Sequence, residues 1–205
     1  MIFIGVTGGI GSGKSLVCSL FEKKGIPIFF ADTIAKEVPQ KNAKVLKEIS
    51  DVFGPDIVNV PAKTIDNKKL AAIVFSEHEK LQQLNAILHP KVFDEFQKWK
   101  KAVNQSCHFA LVEAALIFES GMDEILDYVL AVTSDESTRI QRVMRRDAAS
   151  EEQVRARMHR QMPAEGLAEL SDFVLHNDGS IDDLTSKIDF LHSLFSTLKE
   201  RTDVQ

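Results

Sequence analysis

The strongest restriction on how this chain can fold is the run Gly8-Gly9-Ile10-Gly11-Ser12-Gly13-Lys14-Ser15, which matches the pattern G-x-x-x-x-G-K-[ST]. Met1 to Val6, just before it, is apolar and reads as a buried strand. After it, Leu16, Val17, Leu20 and Phe21 fall on one helical face, and Gly25 is a suitable terminator. A strand that turns through glycines straight into a helix gathers backbone N–H groups around a small hollow, because no Cβ stops them turning inward. The positive end of the helix faces the same hollow. A merely flexible loop has no use for the closing Lys-Ser. A phosphate-binding loop does: Lys14 would reach the β- and γ-phosphates of ATP, and the Ser15 hydroxyl would ligate Mg²⁺. The expected nucleotide contacts span Gly11, Ser12, Gly13, Lys14, Ser15 and Leu16.

Ile26 to Phe30 is a second short strand, so the chain opens as β-loop-α-β, the start of a parallel α/β sheet. Phe109–Val112, Tyr128–Val132 and Phe173–Leu175 supply three more strands, with Ser134 or Asp135 placed to cap the helix after the fourth. The last helix carries a long stripe, Ile181, Leu184, Ile188, Leu191, Phe195 and Leu198. The stretch from about 33 to 105 differs: it is lysine-rich and helical, with turns expected near Pro39, Gly54-Pro55 and Pro61 and an interruption at His89-Pro90. It reads as a helical insertion between two strands.

The 205 residues suit one domain with such an insertion. A net charge of −5 disfavours a general nucleic-acid binder. No long uncharged apolar run suggests a membrane span, and the apolar start has no basic flank or cleavage site of a signal peptide. Cys18 and Cys107 lack metal-type spacing, which suits a reduced, cytoplasmic protein.

Of eight arginines, seven lie between Arg139 and Arg160, and the first 138 residues contain none although lysine is common there. Lysine solvates a plain surface equally well. A segment taking only the forked cation suggests phosphate or carboxylate contacts, and a solvated helix with i,i+4 pairs to Glu151 and Glu152 is the plainer reading. Asp32 directly follows the second strand. In a parallel sheet that edge faces the first loop, so its carboxylate could take a proton from an attacking hydroxyl, hold a water on Mg²⁺, or cap the next helix. Glu113 and Glu119 flank the end of the third strand, near a metal or at the surface, and His89 is a helix-boundary residue or a substrate contact.

The ordered set of segments resembles the dephospho-coenzyme A kinase family across nearly the whole chain. The resemblance rests on Val6 to Ser15, Ala31-Asp32 with Ile34-Ala35, His89-Pro90, Leu116-Ile117-Phe118-Glu119, Arg142 to Asp147, Gln161, and Asp172-Phe173-Val174 with Asn177 and Gly179. Phe30 stands where the family often has the first Asp of Asp-Ala-Asp, and Ala115 where it often has proline. The resemblance implies a P-loop NTPase-type α/β fold, a three-layer sandwich on a parallel five-stranded sheet, with a helical substrate-binding insertion and an arginine-rich lid at about 141–165. The core would comprise 1–32, 106–140 and 170–200. It further implies that dephospho-coenzyme A, lying between core and insertion, attacks ATP through its ribose 3′-hydroxyl, with Asp32 orienting or deprotonating it and Arg142 and Arg146 stabilising the transferring phosphoryl group. A monomer or small homo-oligomer is expected, without nucleic-acid or membrane partners. A P-loop kinase for another small hydroxyl, such as shikimate or a nucleoside, is the competing reading; a guanine-type switch would carry N-K-x-D, which is absent.

Overall fold

The computed structural model describes residues 1–59, 62, 64–76, 78–103 and 106–200. In chain order the elements are β1 (Ile2–Thr7), α1 (Lys14–Lys23), β2 (Ile28–Phe30), α2 (Ala31–Lys41), α3 (Ala43–Phe53), β3 (Val58–Asn59), β4 (Thr64–Ile65), α4 (Asn67–Ser76), α5 (His78–Ala102), β5 (Phe109–Glu113), β6 (Tyr128–Thr133), α6 (Glu136–Asp147), α7 (Glu151–Met158), α8 (Ala164–Leu170), β7 (Phe173–His176) and α9 (Ile181–Phe195). They form two compact units, Met1–Phe29 with Val103–Gln205, and Phe30–Ala102.

The first unit is built on a parallel sheet of five strands in the order β2-β5-β1-β6-β7. β1 is central: Ile2 to Val6 pair with Phe109 to Glu113 on one side, and Ile4 to Thr7 with Tyr128 to Ala131 on the other. Every residue of β1 and β5 is buried, which is why these strands read as unbroken apolar runs rather than alternating ones. Because the strands run the same way, the segments after β1, β5, β6 and β7 all emerge at one carboxyl edge, where ligands bind in open α/β sheets. Phe21 of α1, Phe109 of β5 and Phe195 of α9 are fully buried and in mutual ring contact, and Phe173 of β7 lies 5.2 Å from Phe195 between centroids. This aromatic knot fastens the first and last helices of the unit to its sheet.

The second unit is helical, with a two-stranded antiparallel hairpin of β3 and β4. Its core gathers Val38, Val45, Ile49, Phe53, Ile57, Leu70, Val74 and Leu84. Asn42 caps α3, its side chain accepting from the N–H groups of Lys44 and Val45. Two sequence expectations need correction, and one element had no counterpart in them. Pro39 makes no turn but lies inside α2, near its end, where the bond it cannot donate is offset by burying Val38 and Pro39. His89-Pro90 does not interrupt: α5 runs through it, and its apolar face stays buried on both sides at Leu84, Val92 and Phe96. The hairpin was not foreseen, since two residues per strand leave no alternation to read. The turn at Gly54-Pro55 is present, with Gly54 at φ +100°; Pro61 lies outside the described residues.

Phe195→Ala is expected to destabilise the protein by about 3 kcal/mol or more, because the cavity lies among rings that cannot all close on it. Denaturant unfolding monitored by circular dichroism measures it.

Candidate phosphate-binding site

The turn from β1 into α1 is held open by glycine geometry. Gly13 is the N-cap of α1 at φ 95°, ψ 17°, a left-handed conformation, and a Cβ there would run into the Asn177 amide. A Cβ on Gly9 would run into the Arg139 guanidinium. α1 opens directly from this loop, so the first N–H groups of the helix, before those of Leu16 and Val17 that bond the Gly13 carbonyl, lie beyond the reach of intrahelical carbonyls. Ser12 is 1% exposed, and its Oγ has no hydrogen-bond partner among the described residues. A buried hydroxyl without a protein partner, on a loop that opens a helix, suits a polyanion. Ser15 and Leu16, next along α1, are exposed.

Lys14 forms an ion pair with Glu113, the last residue of β5. Both side chains are largely buried, at 12% and 7% exposure. Glu113 is therefore no surface carboxylate, whereas Glu119 is exposed. Among the described residues no cluster of three or more His, Cys, Asp or Glu is gathered for a metal. Nucleotide-bound Mg²⁺ needs few protein ligands, and the Ser15 hydroxyl, exposed at the start of α1, fits as one that would hold it.

Side chains from distant segments brace the loop from behind. Ile10 N–H donates to Gln161 Oε1 at 2.7 Å, and the Ile10 carbonyl accepts from Arg139 Nε at 3.0 Å. Asn177, 4% exposed, donates from Nδ2 to the Ser12 carbonyl at 2.8 Å. Arg142 donates from Nη2 to the Asn177 carbonyl at 2.9 Å and from Nη1 to Ser134 Oγ at 3.4 Å. Ser134 Oγ and Asp135 N–H both donate to Asp178 Oδ1, at 2.5 and 2.8 Å, and hold that carboxyl below its usual range. Asp135 is the N-cap of α6 but makes no side-chain cap bond, and Ser134 spends its hydroxyl on Asp178, so the expected capping of α6 by either side chain is not found.

The arginine-rich stretch divides by function. Arg139 is buried behind the loop, and burial pushes its pKa down, though arginine stays charged. Arg142 lies at the loop's edge, beside Gly13. Arg146 grips Asp147 with Nε and Nη2 at 2.7 and 3.1 Å, and Arg157 donates to the same carboxylate at 2.7 Å. Arg155 pairs with Glu151, at i,i+4, and with Glu136. For Arg155 the plainer reading of a solvated, ion-paired helix fits.

Asp32 occupies the first turn of α2, in the second unit. The N-cap of that helix is Phe30, without a side-chain cap bond, so the capping role considered for Asp32 is not the one it has. His89 lies in the middle of α5, not at a helix boundary, and burial lowers its pKa. The sequence offered no role for Asn177, Gln161 or Arg139 as braces. Their contacts with the loop span 165, 151 and 129 residues, beyond any local pattern, and only the arginine asymmetry hinted at one of them.

Asp147 carries a pH prediction. Arg146 first, then Arg157, hold its carboxyl well below the usual carboxylate range. A carboxyl whose folded pKa is depressed contributes stability above its unfolded value of about 3.9, and loses it as pH falls through the folded one. Asp147→Asn is expected to lower the melting temperature at pH 7, and the gap from the parent protein should narrow steadily below about pH 4. Thermal unfolding of both proteins from pH 7 to 3 checks this.

Comparison with known proteins agrees with this geometry. The family model for dephospho-CoA kinase matches residues 2–183. The dephospho-CoA kinase of Chlorobaculum tepidum is 40% identical over 203 residues, covering 97% of both chains, and that of Salinibacter ruber is 44% identical over 188 residues, covering 91% of this chain and 94% of its own. Among solved structures, TT1252 from Thermus thermophilus superposes with a TM-score of 0.81 at 33% identity, covering 97% of this chain and 98% of its own. The dephospho-CoA kinase from Campylobacter jejuni superposes with a TM-score of 0.70 at 28% identity, covering 95% and 96%. The strand-loop-helix with its braced glycines sits inside a match of nearly full length, and the chain belongs to the dephospho-CoA kinase family.

Proposed function

We propose that this protein transfers the γ-phosphoryl group of ATP to the ribose 3′-hydroxyl of dephospho-coenzyme A, giving coenzyme A and ADP. The observation that carries the reading is the Gly8–Ser15 loop, opening α1 at the carboxyl edge of the sheet, with Lys14 paired to a buried carboxylate in a family member. The loop and first helical turn from Gly11 to Leu16 bind the phosphates, through those backbone N–H groups that no protein carbonyl takes. Lys14 leaves Glu113 for the β- and γ-phosphates, where its charge offsets what develops on the transferring group. The Ser15 hydroxyl would hold Mg²⁺, which would supply charge neutralisation for the phosphates. Asp32, in the first turn of α2 directly after β2, orients the 3′-hydroxyl and takes its proton. Arg142, already beside Gly13, and Arg146, exchanging Asp147 for phosphate oxygens, stabilise the spread negative charge. The segment at about 141–165 acts as the lid that excludes water. Two free cysteines, and no helix among the described residues long and apolar enough to cross a membrane, suit a cytoplasmic enzyme.

Steady-state kinetics with dephospho-coenzyme A test these roles. Asp32→Asn should keep the parent's melting temperature and lose about 10²-fold or more in kcat, the scale of general-base catalysis. Near-parental kcat would remove Asp32 from the chemistry. Arg142→Lys and Arg146→Lys should each lower kcat about ten-fold, because a point donor cannot replace a planar fork on several oxygens, while Arg155→Lys changes kcat less than about two-fold. Equal, small effects at all three positions would return the cluster to a solvated surface.

A further inference from the structure

At the tip of the phosphate-binding loop the Gly9–Ile10 peptide is engaged by protein at both its carbonyl and its N–H, and so is the Ile10 carbonyl that follows. The Gly9 carbonyl accepts from Ser12 N–H at 3.1 Å, the Ile10 N–H donates to Gln161 Oε1 at 2.7 Å, and the Ile10 carbonyl accepts from Arg139 Nε at 3.0 Å. The Ile10 side chain packs against the cluster of Ile140, Val143 and Val154, beside Ala149 and Met158. Ile10 thus joins the loop to α6 and α7 through both backbone and side chain. Peptides flanked by glycine rotate at little steric cost, and the loop cradles phosphate only while its free N–H groups stay turned inward. Arg139 reaches the Ile10 carbonyl from within α6, and the Ser12 N–H reaches the Gly9 carbonyl from within the loop itself. Gln161 reaches the Ile10 N–H from beyond α7, so its oxygen holds the N–H end of the Gly9–Ile10 peptide while Ser12 holds the carbonyl end.

We infer that Gln161 is a positioning residue for nucleotide binding: its side-chain oxygen, accepting the Ile10 N–H, locks the Gly9–Ile10 peptide and ties the arginine-rich segment to the phosphate-binding loop. The inference rests on the reading of that loop as the ATP site. It assigns Gln161 no contact with either substrate. Its contribution lies in holding the loop in its binding form before ATP arrives, so its removal should appear in nucleotide affinity rather than in the chemical step.

Two variants and two readouts decide it. Gln161→Met keeps the length of the side chain without the acceptor; Gln161→Glu keeps an oxygen at the same reach. In the nucleotide-free protein, hydrogen exchange at the Ile10 amide should quicken at least ten-fold in the methionine variant and stay near the parent rate in the glutamate variant. No phosphate is present in this measurement to repel the new charge of the glutamate. The methionine variant should also bind ATP about five-fold more weakly, with KM for dephospho-coenzyme A and kcat at saturating ATP within about two-fold of the parent, on the scale of one neutral hydrogen bond. Unchanged exchange at Ile10, equally fast exchange in both variants, or an equal loss in kcat and both KM values would overturn the inference. Exchange and ATP affinity need no acceptor substrate, so a failure here leaves the proposed phosphoryl acceptor standing, and an inactive parent enzyme leaves this test intact.

Discussion

The site depends on a short loop held in shape by residues far along the chain. Three side chains, Arg139, Gln161 and Asn177, bond to the backbone of Ile10 and Ser12, and each arrives from a different element or connection around the carboxyl edge of the sheet. The glycines explain why backbone can meet these groups so closely: at Gly9 and Gly13 a Cβ would occupy the space of a guanidinium and an amide. Leaving a buried partner unsatisfied costs about 1–3 kcal/mol per group, a sizeable part of the 5–15 kcal/mol that keeps an ordinary domain folded. The loop is thus a product of the whole first unit, and the parallel sheet is what delivers the ends of β1, β6 and β7 to one place.

The Lys14–Glu113 pair adds an electrostatic constraint. Two largely buried charges are costly unless each satisfies the other, and removing one partner strands its mate. The pair gives a lysine on the glycine loop a buried counter-charge in this fold. Under the proposed function a nucleotide would offer Lys14 a second anion beside Glu113. Cys18, buried beneath this pair, has its thiol pushed up to about 12, first by burial and then by Glu113, so it adds no competing charge to the hollow.

Local sequence disclosed the parts whose physics is local. The G-x-x-x-x-G-K-S run and its flanking apolar residues located the strand, the turn and α1, since glycine spacing and helical periodicity act over a few residues. The fully buried strands were legible for the same reason. Prolines misled at Pro39 and Pro90, because the cost of a missing N–H is local while the packing that outweighs it is not. The braces Asn177 and Gln161 are ordinary polar residues in loops, and nothing near them in sequence shows that they meet Ser12 and Ile10. The crowding of arginine after residue 138 was visible, but its division into a buried brace at Arg139, a loop-edge donor at Arg142 and surface pairs at Arg155 and Arg157 required the fold.

The most direct measurement is acceptor specificity: ADP release coupled to NADH oxidation with dephospho-coenzyme A, adenosine or shikimate as the only acceptor, with the product examined by phosphorus NMR. The account predicts turnover with dephospho-coenzyme A alone, one ADP per acceptor consumed, and a new phosphomonoester on the ribose 3′-oxygen. Comparable turnover with adenosine or shikimate, or a phosphate at another position, would contradict it.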